Sequence, residues 1–401
     1  MRDLLLATRN VVRQQRRSMV ALIAIAAGVA ALVFAGGFVD WILRELREQT
    51  IRSQLGHIQV RAKPGSTAGR SEPRLPGSGQ VRMRVTRGMH VKSVAARLKI
   101  SGLISRNDTT LGFTGDGIEP MLDVASGVDD LISGRPLNAG KADHILVGEG
   151  LAASLAMRPG DKAVLLVNLP GGGINARDVI VAGIFRTISK AYDDAAVRVP
   201  LALAQELLRA RDVDVWIVTL DSTEATAEAL AALRADPALS GLEFIPWTDL
   251  ADFYNKAVVL YAHQFAVMQA LIAIIIVLSI MNTMMMNVSE RTWEIGTMMA
   301  IGTSRRTILR MFVLEGLVLG VIGGVAGVVL GFVLNSAASM VGIPMPAAPG
   351  MRHGFLAQAS FEAGIAASAF ALAVVTTVAA SVPPAFTASR LVIVDALRAS
   401  H

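Results

Sequence analysis

Four long stretches almost without charge constrain the fold of this 401-residue chain more than any other feature. Glu315 is the one charged residue inside them, and they are Met19–Val39, Ala257–Ser289, Met311–Met340 and Ala363–Val382. A helix of about 20 apolar residues crosses the roughly 30 Å hydrocarbon core of a bilayer, and each stretch is at least that long. Because 53% of the residues are apolar and only 17% are charged, the composition also favours a membrane protein. The sequence therefore predicts four transmembrane α-helices.

Arginine is distributed unevenly around these stretches. Five arginines precede the first stretch and four lie between the second and third, whereas one lies between the third and fourth. Short loops rich in Lys and Arg remain in the cytoplasm, so we predict that both termini are cytoplasmic. The first stretch is longer than the roughly 7 to 15-residue core of a secretory signal, and we interpret it as a retained anchor.

The predicted fold is four transmembrane α-helices plus one large α+β extracytoplasmic domain inserted between helices 1 and 2. The predicted segments follow in chain order. They are a cytoplasmic amphipathic helix on the inner membrane surface (1–18), the first span (19–39), the α+β domain with stalk extensions (40–256), a stalk end and the second span (257–289), a cytoplasmic loop or helix (290–309), the third span (310–340), an outer turn (341–362), the fourth span (363–382) and a cytoplasmic tail (383–401).

The region 40–256 mixes alternating apolar runs with helical spacings, which indicates an α+β domain. Strands are predicted at His57–Arg61, Val81–Val85, Ile145–Val147, Ala163–Val167, Val179–Phe185, Ala196–Val199 and Trp216–Leu220. Helices are predicted at Val91–Leu98, Leu201–Arg209 and Glu224–Arg234. A loop is predicted at 63–80 and a hairpin tip at 170–173. Since the chain contains no cysteine, this domain must be stabilised by its own core.

Catalytic and metal-binding patterns are missing from the sequence. It has no G-x-x-x-x-G-K-[ST] loop for ATP phosphates, no H-E-x-x-H and no G-x-S-x-G, and its six histidines are scattered. The arginines are not interleaved with aromatics as in nucleic-acid-binding segments. We therefore expect no catalytic residue, no metal site, no cofactor and no nucleic-acid partner in this chain.

A short charged segment connects the second and third apolar stretches. It reads ERTWEIG from Glu290 and continues through Ala300-Ile301-Gly302 and Ser304-Arg305-Arg306 to Glu315-Gly316. This spelling resembles the E-R-x-x-E-I-G-x-x-x-A-x-G-x-S loop of the permease family that includes the lipoprotein-releasing permeases, the macrolide-efflux permease and the FtsX-type cell-division permease. Short motifs within 148–208 and the tail from Pro384 onward are also similar to sequences of that family. Trp293, Met299 and Ile393 depart from the usual pattern.

The resemblance implies that this segment is a coupling helix that docks on a separate cytoplasmic ATPase, which binds the ATP and magnesium. In that interpretation charged residues make polar contacts, Trp293 and Met298 are apolar anchors, and Gly296 and Gly302 let the backbone turn. The predicted coupling residues are Glu290, Arg291, Trp293, Glu294, Gly296, Met298, Gly302, Arg305 and Arg306. The alternative interpretation is that these charged residues only terminate the second and third membrane spans and bind no partner.

The third span carries glycines at small-xxx-small spacing, which lets another helix approach closely. The predicted packing residues are Gly316, Gly320, Gly324, Gly327 and Gly331. Packing within the chain and packing between subunits both fit this pattern. Glu315 is expected to pair with Arg310, Arg306 or the charged segment, because an unpaired carboxylate is costly in a bilayer.

The resemblance further implies a bacterial inner-membrane permease subunit of an ABC system that works by mechanotransmission and releases lipoproteins or extracts lipid-linked cargo. Efflux of antibiotics or peptides with an adaptor and regulation of a cell-wall hydrolase are the alternatives. The implied partners are the ATPase, a second permease copy in a homo- or heterodimer, membrane lipids, and a periplasmic chaperone or adaptor.

Overall fold

The structure is a computed structural model that describes residues 15–63, 75–76, 79–123, 131–138, 140–169, 172–187, 189–345 and 355–392. The predicted helix over 1–18, the predicted loop over 63–80 and the tail from 393 onward lie wholly or largely outside the described residues, as does half of the hairpin tip. The chain divides into two compact units. The helical unit contains the chain up to Arg44, Ala257–Met345 and the chain from Leu356, whereas the sheet unit is built on Glu45–Lys256.

The sheet unit contains both helices and strands, and helices dominate the helical unit. The helices are α1 (Gln15–Thr50), α2 (Gln80–Thr86), α3 (Glu149–Ser154), α4 (Lys190–Asp193), α5 (Leu201–Leu208), α6 (Thr226–Ala235), α7 (Trp247–Leu250), α8 (Asp252–Glu290), α9 (Thr292–Ala300), α10 (Arg305–Val341) and α11 (Ala363–Ser389). The strands are β1 (Ile58–Ala62), β2 (Leu75–Pro76), β3 (Val91–Arg106), β4 (Thr109–Ile118), β5 (Leu131–Gly134), β6 (His144–Gly148), β7 (Lys162–Asn168), β8 (Ile174–Phe185), β9 (Ala196–Pro200), β10 (Asp212–Val213), β11 (Val215–Leu220), β12 (Leu242–Pro246), β13 (Ile343–Met345) and β14 (Phe355–Ala357).

Four helices among the described residues, α1, α8, α10 and α11, are long and apolar enough to cross a membrane. Each contains one of the apolar stretches, and α1 and α11 extend well beyond theirs. Together with α9 they share a single apolar core, in which Ile25, Ile280, Ile295, Phe312 and Ala373 are almost completely buried. The helical unit is therefore a packed bundle of four long helices, and α9 is fixed to its core.

The glycines of α10 lie on two different faces of that helix. A β-carbon on Gly316, Gly320 or Gly324 would overlap residues of α11, whereas one on Gly323, Gly327 or Gly331 would overlap residues of α1. At Gly327 it would lie 2.5 Å from Val29 Cβ and 2.7 Å from the backbone oxygen of Ala26. Because these glycines have no side chain, α10 can approach both α1 and α11 of the same chain closely.

The sheet unit is organised around one mixed ten-stranded sheet in the order β12-β1-β11-β3-β4-β9-β6-β8-β5, with β7 paired to β3 and β8. The pairs β4–β9 and β6–β8 are parallel. Strand β3 is long enough to belong to two apolar cores. Its Val94 packs with Ile58, Trp216 and Phe244, whereas its Ile104 packs in a second core with residues of β6 to β9 and α5.

Two predictions in this unit are wrong, and they are neighbours in the sequence. The predicted strand Val81–Val85 is the short helix α2, in which Val85 is buried while Val81 and Met83 are largely exposed. The predicted helix Val91–Leu98 is the first half of β3. Five consecutive residues of that strand are buried, because neighbours cover both of its faces, and the alternation typical of a half-exposed strand is therefore missing.

Candidate coupling site

The segment between α8 and α10 folds as a helix followed by a tight turn. Helix α9 begins directly after Arg291 and ends at Ala300. Gly302 follows with a φ of 101°, in the left-handed region that favours glycine, and its N–H bonds to the carbonyl of Met299 at 3.1 Å. Ser304 then caps α10, since its hydroxyl accepts a hydrogen bond from the N–H of Thr307. Each end of the connection is thus held by local hydrogen bonds.

One face of α9 is buried in the core of the helical unit. Ile295 is fully buried, Met299 is nearly so, and Met298 packs against the same core. Gly296 lies inside the helix on this buried face. The prediction that Gly296 allows a turn is therefore wrong, because the backbone there is regular helix and the turn occurs at Gly302. Burial of this face fixes the orientation of α9 on the bundle.

Buried polar groups link α8, α10 and the start of α9. Glu315 of α10 is 1% exposed, and its Oε1 accepts a hydrogen bond of 3.4 Å from Asn287 Nδ2 of α8. Its Oε2 lies 4.0 Å from Nη1 of Arg291, which also donates through Nε to Glu294 at 3.0 Å. Because a buried carboxylate requires a partner, this contact holds the start of α9 against α10. Glu315 therefore contacts Arg291 of the charged segment, which is one of the partners expected from the sequence.

The opposite side of the segment is exposed and combines apolar with charged side chains. Trp293 is 52% exposed and Ile301 is 82% exposed. The other predicted coupling residues on the exposed side are Glu290, Glu294, Gly302, Arg305 and Arg306. Arg291 and Met298 are half-buried and face the bundle, so Met298 contributes to the core more than to this surface. We call Glu290, Trp293, Glu294, Ile301, Arg305 and Arg306 the tip surface.

Sequence reasoning did not identify Ile301 as a member of the tip surface. Asn287 was also missed, because its role depends on Glu315 of a distant helix. Within the described residues, His, Asp and Glu form no cluster that could hold a metal ion.

Four membrane-spanning helices and a separate sheet unit define a multi-pass membrane protein. The FtsX-like permease C-terminal model matches residues 266–393, and the MacB-like periplasmic core domain model matches residues 18–236. The second match covers more than half of the chain. The chain belongs to the FtsX-like and MacB-like family of ABC transporter permeases.

Curated relatives differ in how much of their length this chain spans. The lipoprotein-releasing system transmembrane protein LolE of Haemophilus influenzae is 24% identical over 77% of this chain and 76% of its own length. The macrolide export ATP-binding/permease protein MacB of Nitrobacter winogradskyi is 30% identical over 67% of this chain, which spans 39% of that relative. Among solved structures, the periplasmic region of MacB from Actinobacillus actinomycetemcomitans aligns with 53% of this chain and 98% of its own length, at 13% identity and a TM-score of 0.38.

Proposed function

We propose that this chain is the permease subunit of an ABC system that couples ATP hydrolysis by an ATPase to movement of the sheet unit on the other side of the membrane. The main observation in support of this proposal is the composition of the tip surface. It exposes Trp293 and Ile301 between acidic and basic side chains, while the buried face of α9 is fixed to the bundle. Aromatic anchors flanked by charges are typical of protein interfaces, and a fixed base lets such a surface transmit force.

The orientation supports the same proposal. Arg305 and Arg306 lie at the start of α10, next to the tip surface, and basic residues in short loops favour the cytoplasmic side. The tip surface then faces the compartment that holds ATP, and the termini lie on the same side. The sheet unit lies outside the bacterial inner membrane. ATP and magnesium belong to the ATPase, which the permease contacts through the tip surface.

The cargo that we propose is a lipoprotein or another lipid-linked molecule. LolE is named as part of a lipoprotein-releasing system, and its match extends over most of both chains. The long helices offer few polar side chains, so they provide no lining for a soluble molecule to cross the bilayer. A second permease copy and a periplasmic chaperone complete the proposed system. Export with an adaptor is the second candidate, and the similarity to MacB favours it.

The tip surface is tested by removing its apolar anchors. Trp293→Ala and Ile301→Ser are each expected to weaken binding to the copurified ATPase at least about tenfold, because exposed aromatic and aliphatic anchors contribute on the order of 1.4 kcal/mol or more. Val375→Ala is the matched control, since Val375 is an apolar residue of α11 that is 66% exposed and lies outside the tip surface. Binding should be measured with purified permease in nanodiscs.

Unchanged affinity of both tip variants would contradict this role for the segment. The cargo is tested separately by mass spectrometry of molecules that copurify with the complex. Acylated proteins would support lipoprotein release, whereas an adaptor without acylated protein would support export, and a cell-wall hydrolase alone would support the regulatory alternative.

A further inference from the structure

The outer end of α1 is part of the sheet unit from Glu45 onward. After Thr50 the helix changes into a single π-helical turn, Ile51–Leu55, which closes with a 2.8 Å bond from the Gly56 N–H to the Ile51 carbonyl. Gly56 has a φ of 66°, and strand β1 begins two residues later. The chain thus passes from membrane helix to sheet through an irregular joint. π-Turns of this kind occur frequently at functional positions.

A chain of hydrogen bonds crosses this joint. The N–H of Leu220, at the end of β11, donates to His57 Nδ1 at 3.2 Å. The other ring nitrogen, Nε2, must therefore carry the proton, and it lies 3.2 Å from the hydroxyl oxygen of Thr223. The Thr223 hydroxyl in turn donates to Glu48 Oε1 of α1 at 3.0 Å. These hydrogen bonds connect two segments that are distant in sequence, 48–57 and 220–223.

An ion pair and an apolar cluster reinforce the same junction. Arg47 Nη2 lies 3.1 Å from Glu48 Oε1 and 3.2 Å from Glu224 Oε1. Ile51 is buried against Trp247, which is close to the start of α8. Trp247 stacks edge-on against Tyr254 of α8 with a centroid distance of 5.2 Å. The outer ends of α1 and α8 are thereby joined to each other and to the sheet.

The charges around His57 are compatible with a neutral ring. Burial lowers the pKa of His57, and although Glu48 and Glu224 act in the opposite direction, Arg47 and Arg52 add to the lowering. The imidazole is then uncharged at neutral pH, so Nδ1 can accept the Leu220 N–H. A neutral ring with its proton on Nε2 is the form that the hydrogen-bond chain requires.

We propose that His57, Thr223 and Glu48 form a latch that locks the outer end of α1 to the sheet unit. The inference rests on the proposed function, in which force that arises at the tip surface must reach the sheet unit through α1 and α8. A rigid connection passes that movement on, whereas a loose connection absorbs it in bending of the helix end. The three side chains are positioning residues, and they need not contact ATPase or cargo.

Substitutions at Thr223 test the latch. Thr223→Val removes the hydroxyl at nearly unchanged side-chain volume, and Thr223→Ser retains the hydroxyl but loses the methyl group. Thr219→Val is the control, because Thr219 is a buried threonine of β11 whose hydroxyl has no hydrogen-bond partner among the described residues. Spin labels at Glu45, on α1, and at Asp108, at the exposed turn after β3, report the distance from the helix end to the sheet.

We expect Thr223→Val to broaden the Glu45–Asp108 distance distribution at least about twofold, since the helix end then fluctuates locally, while Thr223→Ser and Thr219→Val leave it narrow. This measurement needs neither ATP nor a partner. A second label pair, Asp108 with Met340 of α10, reports movement between the two units in the complex with its ATPase. Thr223→Val should reduce the ATP-driven distance change at least about twofold at an unchanged rate of ATP hydrolysis.

Failure of the proposed function and failure of the latch give different results. If the unsubstituted complex shows no ATP-driven change between Asp108 and Met340, the proposed function is wrong, and the Glu45–Asp108 distribution still decides whether the latch exists. If the unsubstituted complex moves but Thr223→Val gives the same distributions and the same ATP-driven change as Thr223→Ser, the latch is overturned. Loss of the narrow distribution in Thr219→Val as well would also overturn it, because the effect would then not depend on the hydrogen bond.

Discussion

Asp123→Ala is expected to destabilise the sheet unit by about 3–5 kcal/mol, because it leaves a buried guanidinium without its carboxylate. Both oxygens of Asp123 accept 2.6 Å hydrogen bonds from Arg97, one from Nε and one from Nη2. The two side chains are 6% and 0% exposed, and although burial lowers the pKa of the guanidinium, the carboxylate of Asp123 raises it above its ordinary value. An arginine guanidinium keeps its proton in proteins, so Arg97 stays charged in the variant and cannot avoid the cost by losing its proton.

The free energy of unfolding should be measured by denaturation of the full chain in detergent, followed by tryptophan fluorescence. Trp216 and Trp247 report on the sheet unit, where both are buried. The matched control is Asp194→Ala, which removes the carboxylate of a 2.7 Å pair with Lys190 in which both side chains are exposed. An exposed pair contributes below about 1 kcal/mol. Equal losses in the two variants would contradict the structural role assigned to the buried pair.

Gly327→Leu is expected to cost at least about 3 kcal/mol, because overpacking at a backbone contact forces two helices apart. One of the overlapping atoms is the backbone oxygen of Ala26, which cannot move without moving α1. Gly327→Ala should show a smaller loss of the same sign. Val325→Leu is the control on the same helix, since Val325 is 51% exposed and should tolerate the change within about 0.5 kcal/mol.

The measurement is thermal unfolding of the purified chain together with its mass in detergent. Packing within the chain predicts a lower melting temperature for Gly327→Leu at every protein concentration. If Gly327→Leu instead keeps the melting temperature of the isolated chain and changes only its oligomeric state, the glycine face belongs to a subunit interface, and the contact with α1 does not determine stability.

The four long helices could be predicted from sequence because a bilayer imposes one requirement on each of them: a long run without charge. The charged segment between the second and third helices was predictable for the same reason, since charges such as Glu290 and Arg306 cannot enter the hydrocarbon. The resemblance of this segment to the family motif then suggested that it is a coupling helix. Gly302 was assigned correctly to a turn, because a glycine two residues before a capping serine is a local signal.

Other features depend on contacts that no local pattern contains. The helix predicted at Val91–Leu98 is wrong because β3 is covered on both faces, which removes the period that distinguishes a strand. Gly296 lies inside α9 and Gly302 follows its end, and the sequence alone does not show where that helix ends. The pairing of Glu315 with Arg291 and Asn287 requires α8, α9 and α10 to be packed together. The latch likewise requires the outer end of α1 to lie beside Thr223, in the segment that follows β11.

The most direct test of the account asks on which side of the membrane each unit lies. The chain has no cysteine, so single cysteines can be placed at Ile301 in the tip surface and at Asp108 in the sheet unit. Both positions are exposed. In spheroplasts treated with a membrane-impermeant maleimide, we predict that Asp108→Cys is labelled at once and that Ile301→Cys is labelled only after the membrane is permeabilised. Labelling of Ile301→Cys in intact spheroplasts would place the tip surface away from ATP and contradict the account.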